Sequence, residues 1–147
     1  MDKDVFIDTS ALVKVYYKEK GSEETLEILQ QSNIVYLSEI SIIEFKSAIF
    51  RKLRRKELHS IDAAKTLINV FTDDFDSYKF VTLNSVIINA ASTAMLEYGS
   101  EGLRTLDSIQ LASILSLQKD VNFLCADNLL HGIISKNAYR SMFDYNI

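Results

Sequence analysis

Four acidic residues stand where a carboxylate can do chemistry. Asp8 follows the short apolar run Val5-Phe6-Ile7, and Asp127 follows the apolar run from Val121 to Ala126. Glu44 and Asp107 are embedded among apolar neighbours, Ile40 to Ala48 and Leu106 to Leu115. Asp107 shares a helix face with Leu111 and Ile114, where a solvated charge is not expected. Four carboxylates in one crevice would repel and be driven to protonate unless a cation neutralised them. Neither His59 nor His131 has a Cys or a second His at ligand spacing, so a zinc site is not expected. Hard oxygen ligands select Mg²⁺ or Mn²⁺. Such an ion keeps waters and polarises phosphate oxygens, so phosphodiester hydrolysis is the reaction class that suits the set.

Each acid also has a purely structural reading. Asp8 and Asp127 suit helix N-caps, and Ser41 with Glu44 has the spacing of a capping box. Asp107, two residues after Thr105, would complement a helix dipole. Spacing alone leaves both readings open.

The elements that must bring these acids together follow from the apolar pattern. Val5–Ile7 reads as a buried strand, then a helix from Ala11 to Lys18, punctuated by Gly21-Ser22. Leu26 and Leu29 mark an amphipathic helix over 22–31, and Ile34–Leu37 a second strand. A helix from Ser41 to about Glu57 carries Ile42, Phe45, Ile49 and Leu53. A turn near His59-Ser60 joins it to a helix from Ile61 to about Phe75, an antiparallel hairpin. A third strand (Phe80–Leu83), a helix from Ser85 to Tyr98, a loop over 99–104, a helix from Thr105 to Gln118 and a fourth strand (Asn122–Ala126) follow. A last helix starts at Asp127 or Asn128, and the tail offers a short edge strand near Met142-Phe143.

Strands separated by helices require crossovers, so the expected fold is α/β: a three-layer sandwich with a central, mostly parallel four- or five-stranded sheet. Function in such sheets gathers at the carboxyl ends of the strands. Asp8, Glu44 and Asp127 each follow a strand onto that edge. Asp107 joins them if residues 99–104 climb back to it, and six extended residues span roughly 20 Å.

Composition sets the frame. The 147 residues, 48% hydrophobic and 24% charged, fit a single domain over 1–147. No apolar run approaches a membrane span, no secretory leader is evident, and the lone Cys125 suits a reducing compartment, so a cytoplasmic location is expected. The net charge of −4 argues against nucleic-acid binding by overall charge. A basic surface must then be local, and Arg51, Lys52, Arg54, Arg55 and Lys56 offer five cations in six residues. They would grip phosphates, or simply end a solvated helix in line with its dipole.

At these residues the sequence resembles the PIN-domain family, and within it the VapC-type toxins of toxin–antitoxin pairs. Val5-Phe6-Ile7-Asp8-Thr9-Ser10-Ala11-Leu12-Val13-Lys14 is similar to the family's opening strand and first acid. Ser38-Glu39-Ile40-Ser41-Ile42-Ile43-Glu44-Phe45 is similar to its second acidic motif, and Leu106-Asp107-Ser108-Ile109-Gln110-Leu111-Ala112 to its third. Cys125-Ala126-Asp127-Asn128-Leu129-Leu130 resembles the fourth, after which His131-Gly132-Ile133-Ile134 departs from the usual pattern.

The resemblance covers about residues 4–135. It implies a Mg²⁺- or Mn²⁺-dependent endoribonuclease with Asp8, Glu44, Asp107 and Asp127 as catalytic metal ligands and Thr9 and Ser10 in support. It also implies an RNA substrate leaving 5′-phosphate and 3′-hydroxyl ends, a cognate antitoxin, and a homodimer. Two alternatives keep the fold: an RNA-processing nuclease outside a toxin–antitoxin pair, and a non-catalytic RNA-binding module whose acids only cap helices. A phosphoacceptor receiver domain would need an acidic pair after the first strand and a Lys after the last, which Asp8-Thr9 and Asp127-Asn128 do not supply.

Overall fold

The computed structural model of the chain describes residues 3–136. Four strands, β1 (Lys3–Ile7), β2 (Ser32–Ser38), β3 (Lys79–Val81) and β4 (Asn122–Leu124), form one sheet in the order β3-β2-β1-β4. Every pairing is parallel, with Phe6 opposite both Tyr36 and Phe123. The expected α/β sandwich is the observed one. The suggested edge strand near Met142-Phe143 lies outside the described residues.

Alternation along the strands explains the two cores. Val5, Ile7, Leu37 and Leu124 point to one face and Phe6, Tyr36 and Phe123 to the other. The first face is covered by α1 (Thr9–Tyr16), α3 (Ser41–Arg54) and α4 (Ile61–Asp73) through Leu12, Phe45, Ile49, Ile68 and Phe71. Phe45 and Phe71 meet at 4.5 Å between ring centroids, with Tyr16 at 5.4 Å from each. The second face is covered by α5 (Ser85–Tyr98), α6 (Thr105–Ser116) and α7 (Asn128–Lys136) through Ala94, Tyr98, Leu111, Ile114, Leu130 and Ile134. The short α2 (Ser22–Gln30) adds Ile28 to the first core. Phe6, Phe45, Phe71 and Phe123 are all fully buried; each such side chain contributes roughly 1.5–3 kcal/mol relative to exposure.

Two local departures from the sequence pattern matter for the site. The segment after α5 is not extended: Gly99–Glu101 form a 3₁₀ turn, Gly102 takes φ +99°, and the Leu103 N–H bonds back to the Tyr98 carbonyl. No long climb is needed, because the end of α5 already lies beside the start of α6. The helix α3 stops at Arg54 rather than near Glu57, ending in a turn where Lys56 takes φ 62°. Among the described residues no helix is long and apolar enough to cross a membrane.

Candidate active site

The four acids line one cavity of about 420 Å³ at the carboxyl edge of the sheet, with Thr9, Ser10, Arg51, Arg104 and Gln110 among its other walls. Each is delivered by a different element. Asp8 caps α1 by accepting from the Ala11 N–H at 3.0 Å, and Asp127 caps α7 by accepting from the Leu130 N–H at 2.9 Å. Both capping readings therefore hold, and each acid also faces the cavity. Asp107 lies in the first turn of α6.

Glu44 does not close a capping box. The N-terminus of α3 has no side-chain cap from Ser41. Ser41 Oγ instead lies 2.9 Å from Thr9 Oγ1, and Thr9 donates to Glu44 Oε1 at 3.0 Å. Since the Thr9 proton is spent on Glu44, Ser41 donates to Thr9. Gln110 Nε2 completes the network at 2.9 Å from Glu44 Oε1, 3.1 Å from Ser41 Oγ and 3.2 Å from Thr9 Oγ1. One oxygen of Glu44 thus accepts from two donors, which fixes the orientation of the other.

Gln110 is a residue that sequence reasoning passed over as part of a motif. Its spacing of three from Asp107 puts both on one helix face, which was the available signal. It is buried because α6 is sandwiched between α5 and the sheet, with every residue from Ser108 to Ile114 inside. Its Oε1 is buried with no hydrogen-bond partner among the described residues.

Asp8 is only 4% exposed. Ser10 Oγ donates to its two oxygens at 2.7 and 2.8 Å, and Cys125 Sγ donates to Oδ2 at 3.2 Å. Ser10 is itself held by the Ala126 N–H at 2.9 Å. Despite these donors, burial pushes the Asp8 carboxyl up from 3.8 to about 6. Burial also raises Glu44, opposed by its bonds from Gln110 and Thr9 and reinforced by the negative charge of Asp107. Cys125 is buried and its thiol is pushed up by burial and by Asp8, so it stays protonated and serves as a donor.

Asp107 and Asp127 are turned toward Arg104, whose Nε donates to Asp107 Oδ2 at 2.8 Å and whose terminal nitrogen donates to Asp127 Oδ2 at 2.6 Å. With those two acids engaged, no three His, Cys, Asp or Glu side chains among the described residues are gathered to hold an ion in this arrangement. The donor set nevertheless fits a hard divalent cation. Four carboxylates line one cavity, and the donors bonded to the buried Asp8 are a hydroxyl, a thiol and a backbone N–H, none of them a cation. Asp8, Glu44, Asp107 and Asp127 are the residues that would hold it.

Of the basic cluster, the structure brings only part to the site. Arg51 lines the acidic cavity and also a second, adjoining one of about 310 Å³, whose wall includes Lys52 and Arg55. Lys52 is engaged by Glu19 at 2.7 Å and lies over the Tyr17 ring. Arg54 and Lys56 line neither cavity. Glu39 is structural: its Oε1 accepts from the Leu83 N–H at 2.7 Å.

Comparison with known proteins agrees with this architecture. Compared with curated protein sequences, the chain has no significant match. Among solved structures it is similar to the Mycobacterium tuberculosis toxin VapC20, a sarcin-ricin loop cleaving toxin, with a TM-score of 0.70 and 11% identity over 88% of this chain and 94% of that one. FitAcB from Neisseria gonorrhoeae gives 0.64 and 12%, covering 89% and 93%. VapBC2 from Rickettsia felis, solved bound to a promoter DNA fragment, gives 0.60 and 11%, covering 84% and 87%. At such identities the likeness speaks for the fold alone. The PIN domain model, however, matches residues 5–127, from the first strand to the fourth acid, and a match over that span places the chain in the PIN-domain family.

Proposed function

We propose that this protein is a Mg²⁺- or Mn²⁺-dependent endoribonuclease, the toxin of a toxin–antitoxin pair. The observation that carries the reading is the convergence of Asp8, Glu44, Asp107 and Asp127, from four separate elements, on one cavity of a PIN-domain sheet. Asp8, Glu44, Asp107 and Asp127 would hold a divalent ion there, which would supply charge neutralisation at the scissile phosphate and an activated water. The chain's own residues do the positioning. Thr9 and Gln110 fix the orientation of Glu44, while Ser10 and Cys125 hold Asp8.

The test is direct. The purified chain with Mg²⁺ or Mn²⁺ is expected to cut RNA, leaving 5′-phosphate and 3′-hydroxyl ends, and a chelator is expected to stop it. Intact total RNA with both ions would remove the reading. Likeness to toxin–antitoxin complexes supports a cognate antitoxin as partner. The charge-free stretch Ser85–Leu96 of α5, with Val86, Ile88 and Leu96 exposed, supports pairing with a second copy.

Glu44, Ala48, Arg51 and Arg55 follow one another at intervals of four, three and four residues, so they form one row along α3 and its end. At ~1.5 Å per residue, Arg51 lies roughly 10 Å from Glu44 along the axis and Arg55 roughly 16 Å. That row suits the phosphates flanking the cut. Arg51→Ala and Arg55→Ala are each expected to raise KM for RNA with little change in kcat. Each should also flatten the dependence of log binding constant on log salt by about 0.7 per lost contact. Arg54→Ala is the control; equal effects from all three would argue for diffuse charge rather than a row.

A further inference from the structure

Arg104 stands at the N-cap of α6 with extended backbone (φ −92°, ψ 161°) and lines the acidic cavity. Its guanidinium joins two carboxylates twenty residues apart in sequence, Asp107 and Asp127, through separate nitrogens. The side chain is 68% exposed, against 13% and 23% for the two acids. It is therefore held by these charges rather than by packing. A guanidinium is a rigid fork of donors that matches carboxylates and stays charged at any pH of interest.

We propose that Arg104 is a built-in competitor of the divalent ion, seated on two of the carboxylates that the ion needs. Loading the site then requires Arg104 to leave Asp107 and Asp127, so this one residue sets how much ion the protein requires. The inference rests on the metal-centred reading above. Exposed ion pairs are individually weak, so Arg104 tunes affinity reversibly and does not block the site. The same competition accounts for the geometry: Asp107 and Asp127 bond to Arg104, and no tighter acidic cluster forms among the described residues.

The experiment is a Mn²⁺ titration of the full chain, without RNA, read by the electron paramagnetic resonance of the free ion. Arg104→Gln is expected to bind Mn²⁺ roughly ten-fold more tightly than the wild type. Its thermal midpoint without divalent ion should be lower, because two facing acids lose their counter-charge, and its rise on adding Mn²⁺ should be larger. A merely structural role would weaken ion binding, the opposite sign. Arg104→Lys keeps the charge but loses the fork, and is expected to fall between the two. Equal or weaker affinity in Arg104→Gln overturns the proposal. So does an Arg104→Lys variant identical to wild type, which would mean that only the electric field matters. If neither wild type nor variant binds Mn²⁺, the metal-centred reading falls too; if wild type binds and Arg104→Gln binds equally, the competition alone falls.

Discussion

Asp8→Asn is expected to cut RNA cleavage by about 10³-fold or more and, at pH 7, to make the protein more stable. The loss follows from removing a carboxylate that would hold the ion, an interaction worth several kcal/mol of transition-state charge stabilisation at 1.36 kcal/mol per ten-fold. The gain follows from burial. In the folded chain the Asp8 carboxyl ionises at about 6 rather than 3.8, so the native state holds its proton more tightly than the unfolded chain does. That contribution is fully present below about pH 4 and is lost as pH rises through about 6. At neutral pH the buried charge therefore costs about 3 kcal/mol.

An amide avoids that cost but cannot accept from Ser10, Ala11 and Cys125 as a carboxylate does. A net gain of about 1–3 kcal/mol is left, or roughly 3–10 °C in thermal midpoint. Circular dichroism melts without divalent ions are the check: the variant should melt higher at pH 7 and lose that advantage at pH 4. A variant no more stable than wild type at pH 7 would mean that Asp8 is not strained.

Asp107→Asn should remove cleavage to a similar extent, about 10³-fold, and most of the Mn²⁺-induced rise in thermal midpoint. It should bring no stability gain, and this contrast discriminates between the two acids. Asp107 already has a cation, Arg104, at 2.8 Å, and it sits in the first turn of α6, where a negative charge is favoured. Its replacement without divalent ion is expected to change stability by less than about 1 kcal/mol, in the destabilising direction. Two variants with the same catalytic defect and opposite effects on the melt would separate a strained ligand from a compensated one. Retained cleavage in both would remove Asp8 and Asp107 from the catalytic centre and, with them, the metal-centred site proposed for this cavity.

The legible part of the site was its acids. Each lies where an apolar run meets a polar residue, and that pattern places it at a strand end or in a helix's first turn whatever the tertiary details. Glu44 shows the boundary. Serine three residues before a glutamate describes a capping box, yet here both side chains turn to Thr9 and Gln110, because α1 and α6 pack close enough to offer better partners than the local backbone. The basic cluster shows it again. Five cations in six residues look equivalent on paper, but only Arg51 reaches the acidic cavity, Lys52 and Arg55 line the adjoining one with Lys52 held by Glu19, and Arg54 and Lys56 line neither. The extended climb expected over 99–104 is a 3₁₀ turn, since the end of α5 lies next to the start of α6 and short-range bonds satisfy the backbone there.

Taken alone, the order of residues determined the alternation of strands and helices, the parallel sheet and the edge on which the acids gather, because hydrophobic period and crossover chirality are local or topological rules. Tertiary structure alone decided which oxygen of Glu44 is tied, that Asp8 is buried without a counter-charge, and that Arg104 spans Asp107 and Asp127. These depend on distances between segments as many as 117 positions apart in the chain. Such distances are set by how the two cores pack, and no window of sequence contains them.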